Sequence, residues 1–209
     1  MIAIIDVGLC NAGSIANMLR VLGVAAIRTS SPDIVGTARK FILPGIGSFD
    51  AGRDRLEKSG LLPLLTERVL KEKIPVLGIC LGMQLMTRSS EEGQMPGLGW
   101  VDAHTRRFAF TSDGKSPRIP HMGWNGVEFR PGSPLALDMP ANPRFYFVHS
   151  YHVVLSEGSA IWLGRTTYGY SFTSAFSEGN VHGVQFHPEK SHKYGLHFLR
   201  NFARLGELK

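Results

Sequence analysis

The stretch Pro75-Val-Leu-Gly-Ile-Cys80-Leu-Gly-Met-Gln84 decides the fold of this 209-residue chain. Its apolar first half is typical of a buried parallel strand, and a segment compatible with a helix follows at once. Cys80 is therefore predicted at a strand-to-helix turn, where the flanking glycines permit close backbone approach. The helix dipole and free backbone N–H groups there favour a thiolate and can hold an oxyanion. The pattern predicts a nucleophilic cysteine, and the alternative is a buried cysteine in a glycine-rich turn.

Strand and helix patterns alternate on the N-terminal side of this stretch. Apolar runs at residues 1–6, 24–27 and 39–43 predict strands, and helical spacing separates them, with further helices near 50–58 and 61–73. This rhythm predicts an α/β fold with a mostly parallel central sheet and flanking helices.

The second half of the chain has a different character. Residues 97–100, 119–125 and 145–152 lie in short β-like pieces separated by Gly, Pro and Asp turns, which indicates antiparallel strands added to the sheet. A further strand is expected at 181–186, followed by a terminal helix from Tyr194. No linker separates the halves, so we expect a single domain over residues 1–209.

Composition limits the function classes. The chain has 23 basic and 17 acidic residues, but no run of like charges, so nucleic acid binding is not favoured. The cysteines, Cys10 and Cys80, form no CxxC pair, which suits a reducing compartment, and we expect a cytoplasmic protein. The N-terminus lacks the pattern of a signal peptide, and the longest apolar stretch is too short to span a bilayer.

Three residues can supply thiolate chemistry. Acyl transfer by a thiolate needs a nucleophile, a histidine that moves a proton and an acid that orients the histidine, and Cys80, His187 and Glu189 fit these roles. A strand ending at Gln185-Phe-His-Pro-Glu189 would point His187 and Glu189 to the same side, with Pro188 stiffening the bend. A histidine beside a proline is otherwise an ordinary surface or core residue.

Two weaker patterns leave alternatives open. Histidines recur at every fifth residue from His182 to His197, but that spacing fits neither one face of a strand nor one face of a helix, so no metal is expected. The turn Pro44-Gly-Ile-Gly47 ends a predicted strand, and its backbone N–H groups either point at a ligand or only connect two elements.

Several motifs together resemble a known family. The segments 78–84 and 185–189 are similar to the glutaminase signature of class I glutamine amidotransferases. Five further segments, in the same order, resemble the glutaminase subunits of imidazole glycerol phosphate synthase: Pro44-Gly-Ile-Gly47, Gly97-Leu-Gly-Trp100, Pro120-His-Met-Gly-Trp-Asn125, Tyr146-Phe-Val-His-Ser-Tyr151 and His187-Pro-Glu-Lys-Ser191. The resemblance covers about residues 2 to 203.

The resemblance implies an activity and a set of site residues. The chain would hydrolyse glutamine through Cys80, His187 and Glu189, with no cofactor, and the ammonia would pass to a (β/α)8-barrel synthase subunit in a heterodimer of histidine biosynthesis. The residues implied in holding glutamine and its oxyanion are Gly45, Ile46, Gly47, Leu81, Gln84, His149, Ser150 and Tyr151. Those implied at the partner interface and ammonia tunnel are Asn11, Trp124, Tyr146 and Lys190, whose alternative role is that of ordinary surface residues.

One departure from the family pattern lies in the turn after the first strand. Val7 replaces an aromatic residue there, and Cys10 replaces a glycine. The departure suggests a paralogue whose ammonia serves amidino-sugar synthesis in surface polysaccharides. A catalytically inactive scaffold or regulatory domain and a cysteine peptidase or esterase are alternatives of other classes.

Overall fold

The parallel part of the sheet forms the centre of the molecule. The computed structural model describes residues 1–8, 12–110 and 117–206, so the expectations for Cys10 and Asn11 fall outside the described residues. Neighbouring strands pair in parallel in the order β2-β1-β3-β4-β13. Their bounds are β1 Ile2–Ile5, β2 Ala26–Thr29, β3 Lys40–Gly45, β4 Val76–Cys80 and β13 Val181–Val184.

The second half of the chain continues this sheet mainly with antiparallel pairs. Beyond β13 the order is β12-β10-β6-β5, and β11 joins β12 to β8. A separate two-stranded antiparallel sheet is made by β7 and β9. The bounds are β5 Ser89–Ser90, β6 Ala103–Arg107, β7 His121–Gly126, β8 Glu128–Phe129, β9 Arg144–His149, β10 Tyr151–Leu155, β11 Trp162–Tyr168 and β12 Tyr170–Glu178.

Helices cover both faces of the parallel strands. They are α1 Ala12–Val21, α2 Pro32–Thr37, α3 Phe49–Lys58, α4 Leu62–Thr66 with a π-helical extension Glu67–Lys71, α5 Leu81–Leu85 and α6 His192–Arg204. Short 3-10 turns occupy Pro134–Ala136 and Pro188–Lys190. No helix in the described ranges is long and apolar enough to cross a membrane.

Alternating side chains of β1 show how the core is divided. Ile2 and Ile4 belong to a cluster that includes the apolar faces of α1 and α6, whereas Ala3 and Ile5 belong to a second cluster with residues of α2 and α4. Every residue of β1, β3, β4 and β13 is buried, as expected for strands covered on both faces. The predicted α/β class with a mostly parallel centre and added antiparallel strands is confirmed.

Two expectations about the second half are wrong. Residues 97–100 form no strand, because the backbone there bonds to the end of α5 and the segment after it: Leu98 N–H donates to Leu85 O at 2.8 Å and Gly97 N–H to Arg88 O at 2.9 Å. In addition, β7 pairs with β9 in a separate sheet and does not join the main sheet.

Candidate active site

The strand-to-helix turn at Cys80 depends on two close backbone approaches. Cys80 ends β4 with φ +54° and ψ −111°, a strained conformation that follows directly into α5. A Cβ on Gly78 would lie 2.7 Å from Met83 N, and one on Gly82 would lie 1.7 Å from Leu43 O. Because only hydrogen fits at these positions, the two glycines allow α5 to start against the neighbouring strands. Cys80 is thereby left at the carboxyl end of the central strand β4.

His187 and Glu189 meet through a turn. The strand β13 ends at Val184, so the expectation that strand alternation aligns the two side chains is wrong. They are adjacent because Pro188–Lys190 forms a 3-10 turn, in which His187 Nδ1 lies 2.7 Å from Glu189 Oε1. The backbone of His187 is also held, since its N–H donates to Tyr146 O at 2.9 Å.

The electrostatics of His187 favour an imidazolium. Burial lowers its pKa, but the neighbouring Cys80 sulfur and the Glu189 carboxylate outweigh that effect and raise the pKa to about 10. His187 is 2% exposed, and Nε2 is buried without a hydrogen-bond partner among the described residues. His187 is therefore a cationic ring beside the Cys80 sulfur, and its Nδ1–H donates to the Glu189 carboxylate.

One pocket collects most of the residues implied in glutamine and oxyanion binding. Its volume is about 330 Å³, at the lower end of the range usual for small-molecule sites. The lining residues are Ile46, Gly47, Cys80, Leu81, Gln84, Glu92, Pro120, Val148, His149, Ser150, Tyr151 and His187. A groove of about 850 Å³ lies beside β8 but includes no member of the Cys80, His187, Glu189 set, so size alone does not locate the chemistry.

The turn after β3 lies beside Cys80. Gly45 is paired in register with Cys80, so it supports the pocket from behind although it does not line it. The strand extends through Pro44 to Gly45, two residues beyond the predicted end. Proline is tolerated there because the pairing of β3 with β1 stops at Ile42, so no partner needs its missing N–H.

Hydrogen bonds fix the polar wall of the pocket. Gln84 Nε2 donates to Tyr151 O at 3.2 Å, and His149 Nδ1 lies 2.7 Å from the same oxygen. His149 Nε2 lies 2.9 Å from His121 Nδ1. Burial lowers the pKa of His149 to about 3 and that of His121 to about 4, so both rings are neutral. A carbonyl only accepts, hence His149 donates to Tyr151 O and accepts from His121.

Sequence reasoning missed Glu92 as a pocket residue. Its Oε2 accepts a hydrogen bond from Phe49 N–H at 2.8 Å, and the side chain is half-buried. Burial raises its pKa, the Phe49 hydrogen bond opposes this, and nearby Asp50 adds to the rise. The segment 89–93 looks like an ordinary polar turn, and no signal in it predicts that one carboxylate lines the pocket of Cys80.

Residues implied at the partner interface form one surface cluster. Trp124 and Tyr146 are register partners on β7 and β9, with ring centroids 6.4 Å apart. Lys190 Nζ lies 5.6 Å from the centre of the Tyr146 ring, and His192 stacks on Trp124 at 5.4 Å. We call Trp124, Tyr146, Lys190 and His192 the aromatic face. The structure thus brings together every described member of the implied set.

The regularly spaced histidines diverge. His182 bonds Ser177 Oγ at 2.8 Å inside the core, His192 stacks on Trp124, and His197 lies 2.8 Å from Leu137 O. Within the described ranges, no group of three or more His, Cys, Asp or Glu side chains is placed to hold a metal ion.

A family profile described as glutamine amidotransferase class-I matches residues 3–205. The chain therefore belongs to the class-I glutamine amidotransferase family, whose members are enzymes that release ammonia from glutamine. The resemblance drawn from the motifs is confirmed at the level of the family.

Several proteins with assigned names are similar to this chain over nearly its full length. The chain is 50% identical to "Imidazole glycerol phosphate synthase subunit HisH 2" of Methanococcus maripaludis, over 98% of this chain and 99% of that protein. It is 46% identical to the HisH 2 subunit of Pseudomonas aeruginosa, over 98% and 100%. It is 41% identical to the HisH subunit of Leptospira interrogans, again over 98% and 100%.

Solved structures share the fold at low sequence identity. A glutamine amidotransferase from Thermotoga maritima superposes with a TM-score of 0.65 at 16% identity, covering 98% of this chain and 96% of that one. The structure of PurLQS from the same organism gives 0.72 at 16% identity, covering 100% and 98%.

Proposed function

We propose that this chain hydrolyses L-glutamine to L-glutamate and ammonia with Cys80, His187 and Glu189, and passes the ammonia to a (β/α)8-barrel synthase subunit. The observation that carries the proposal is the cationic His187, held by Glu189 and placed beside a strained Cys80 in one pocket. The names of the relatives support imidazole glycerol phosphate synthase, and with it histidine biosynthesis, as the setting.

The first half of the reaction uses the thiolate and the imidazolium. The Cys80 thiolate attacks the side-chain carbonyl carbon of glutamine, and the electron pair moves to the carbonyl oxygen. The N–H of Leu81 at the start of α5 and the turn at 45–47 would serve as donors to that oxygen, since Leu81, Ile46 and Gly47 line the pocket with Cys80. His187 gives its Nε2 proton to the amide nitrogen, so the C–N bond breaks, ammonia leaves and a thioester remains.

The second half regenerates the enzyme. Neutral His187 takes a proton from a water molecule that attacks the thioester carbon, and the C–S bond breaks to release glutamate. Glu189 Oε1 accepts the hydrogen bond from Nδ1–H of His187, so the other ring nitrogen, Nε2, always faces the reaction.

The polar wall supplies groups for the amino acid moiety. Both N–H bonds of the Gln84 amide are used inside the protein, which leaves Oε1 as an acceptor at the pocket. The Glu92 carboxylate lines the same pocket. These two groups suit a positively charged α-amino group, and this charge would select free glutamine over an amide within a peptide.

The aromatic face supports a protein partner. Trp124 is 40% exposed and its neighbour Met122 is 61% exposed, while Ile46 beside the pocket is 54% exposed. Exposed large apolar side chains are typical of an interface, and Trp is among the residue types that most often dominate binding energy. A partner seated there would also cover the route by which ammonia leaves.

The deciding experiment measures glutamate release with the synthase partner and its nucleotide ligand present. We expect turnover to disappear in Cys80→Ser. Labelling with a glutamine-analogue electrophile should modify the peptide containing Cys80, and the peptide containing Cys10 serves as the internal control. Undiminished turnover in Cys80→Ser, or an unmodified Cys80, would refute the proposal and favour an inactive scaffold.

The ammonia acceptor needs a separate test. The amidino-sugar alternative uses the same glutaminase chemistry, so nothing at Cys80 distinguishes the two. Capture of the barrel partner by this chain, followed by an assay for incorporation of ammonia into an imidazole precursor or a nucleotide-linked sugar, assigns the acceptor. Neighbouring genes of either pathway would give the same answer at lower cost. Cleavage of peptides or esters in the absence of glutamine hydrolysis would instead indicate the peptidase or esterase.

A further inference from the structure

Gln185 is a buried amide that the mechanism above does not use. It follows β13 directly, its side chain is 0% exposed, and it lies between the nucleophile and Gln84. Gln185 Nε2 donates to Cys80 Sγ at 3.6 Å, and Gln185 Oε1 accepts from Gln84 Nε2 at 3.0 Å. Both polar atoms of one side chain are therefore engaged with residues of the pocket.

The direction of these hydrogen bonds follows from a single backbone carbonyl. Tyr151 O can only accept, so the nitrogen of the Gln84 amide, and not its oxygen, must face it. The same nitrogen then requires an acceptor in Gln185, which places Oε1 of Gln185 towards Gln84 and Nε2 towards the sulfur. A flipped Gln185 would oppose two N–H groups and put an oxygen against a thiolate.

The carbonyl at the start of this chain of hydrogen bonds is itself held. Tyr151 O also accepts from His149, and His149 accepts from His121 on β7. Asn125 Nδ2 lies 3.2 Å from His121 Nε2 and completes the series. The rings of His121 and His149 are both neutral, so each has one donor and one acceptor nitrogen. Every hydrogen bond in the series from β7 to Cys80 therefore has a defined donor and acceptor.

We propose that Gln185 is a positioning residue that ties the nucleophile to the substrate-binding amide. Its N–H group favours the thiolate form of Cys80 and fixes the sulfur at the strained turn, while its oxygen holds Gln84 so that Oε1 of Gln84 faces the substrate. This inference rests on the proposed glutaminase activity for its role in turnover, but its effect on the thiol does not depend on any substrate.

The test replaces Gln185 with Met, which has a similar shape and no polar group. The pH dependence of Cys80 alkylation by iodoacetamide, followed on the Cys80 peptide by mass spectrometry, reports the thiolate directly. We expect the midpoint to rise by about one pH unit, and kcat for glutamine with the partner present to fall about tenfold, as for one lost hydrogen bond to a charged group. Gln185→Asn, whose amide is one methylene too short to reach both neighbours, should shift the midpoint in the same direction if the Met variant does not fold.

Asn201→Leu is the matched control. Asn201 is also a buried amide, but it bonds Leu135 O and Leu137 O far from the pocket, so its loss should lower the melting temperature and leave the alkylation midpoint unchanged. An unchanged midpoint in a folded Gln185 variant overturns the inference. A wild-type chain that releases no glutamate with its partner refutes the proposed function, whereas the midpoint comparison would still decide the role of Gln185.

Discussion

The two walls of the pocket are built by different means. The wall formed by the parallel strands, which we call the backbone wall, carries Cys80. It depends on close backbone contact, since the glycines at 78 and 82 have no room for a Cβ. The opposite wall, which we call the side-chain wall, carries His149 at the end of β9 and His187 in the turn after β13, and it depends on side-chain hydrogen bonds and charge. Changes in the backbone wall should therefore damage folding, whereas changes in the side-chain wall should damage chemistry while the fold persists.

The largest effect is expected at the backbone wall. In Gly82→Ala the new Cβ would lie 1.7 Å from Leu43 O, an overlap with backbone that only displacement of α5 can relieve. We expect a loss of about 4 kcal/mol or more in the free energy of unfolding, or no soluble protein. Gly36→Ala is the control, because a Cβ there meets nothing within 4 Å. Its melting temperature should equal or exceed that of the wild type. A stable Gly82→Ala variant would contradict the conclusion that the backbone wall depends on close backbone contact.

A substitution in the side-chain wall should instead reduce activity while the protein remains folded. Glu189→Gln keeps the shape of the turn but removes the charge that holds His187, so kcat should fall about a hundredfold, while the lost ion pair lowers the melting temperature without unfolding the protein. Steady-state glutaminase kinetics and thermal unfolding measure the two quantities on one preparation. Exposed Glu128→Gln is the matched control and should retain both. A large loss of stability with normal kcat would reverse the assignment.

The charge of His187 also predicts how stability depends on pH. Its folded pKa of about 10 exceeds the ordinary value of 6.5, so its contribution is fully present below pH 6.5 and is lost as the pH rises towards 10. Urea unfolding of wild type and His187→Gln should therefore show a larger difference in unfolding free energy at pH 6 than at pH 10. A difference that grows with pH would contradict the cationic state.

A substitution in the aromatic face should affect partner binding and not folding. Trp124→Ala should weaken partner binding about thirtyfold, equal to about 2 kcal/mol, and leave the fold intact. Isothermal titration calorimetry with the synthase subunit measures the loss. Trp162→Ala is the control, because Trp162 lies on β11 under Arg165 and outside the aromatic face. Equal loss in both variants would show that the face has no special role.

The smallest effect on the free energy of unfolding is expected for the hydrogen bond between Tyr170 and His152. Tyr170 Oη lies 2.8 Å from His152 Nε2, and burial lowers the pKa of His152, so the hydroxyl donates to a neutral ring. Tyr170→Phe should cost about 1 kcal/mol in unfolding free energy. Tyr168→Phe, which loses a more exposed bond to Arg118 O, should cost less. The reverse order would indicate that burial does not set the value of these bonds.

Local signals in the sequence were sufficient for the backbone wall. The apolar run up to Cys80 and the helix pattern after it predict a strand-to-helix turn, and the structure has β4 and α5 with Cys80 between them. The terminal helix was also predicted, although α6 begins at His192, two residues before the expected start. The positions of Gln84 and Leu81 follow from this turn because each is fixed by its distance along the chain.

The side-chain wall could be predicted only in part. His187 and Glu189 were found because they are neighbours in sequence, but the strand expected to align them is a 3-10 turn. Glu92 and Gln185 were missed as functional positions, since each meets the site through partners remote in sequence. Gln185 and Cys80 are 105 positions apart, and Gln84 and Gln185 are 101 positions apart.

Short-range periodicity and contiguous motifs are enough to predict the α/β class, the strand-to-helix turn at Cys80, the histidine–carboxylate pair and the family. They do not predict which polar groups face Cys80, the order of hydrogen bonds from β7 to the sulfur, the separate β7–β9 sheet or the grouping of the aromatic face, all of which are visible only in the folded chain. Those features depend on strand register and on packing between distant segments, and a pattern along one chain does not specify which residues become neighbours across it.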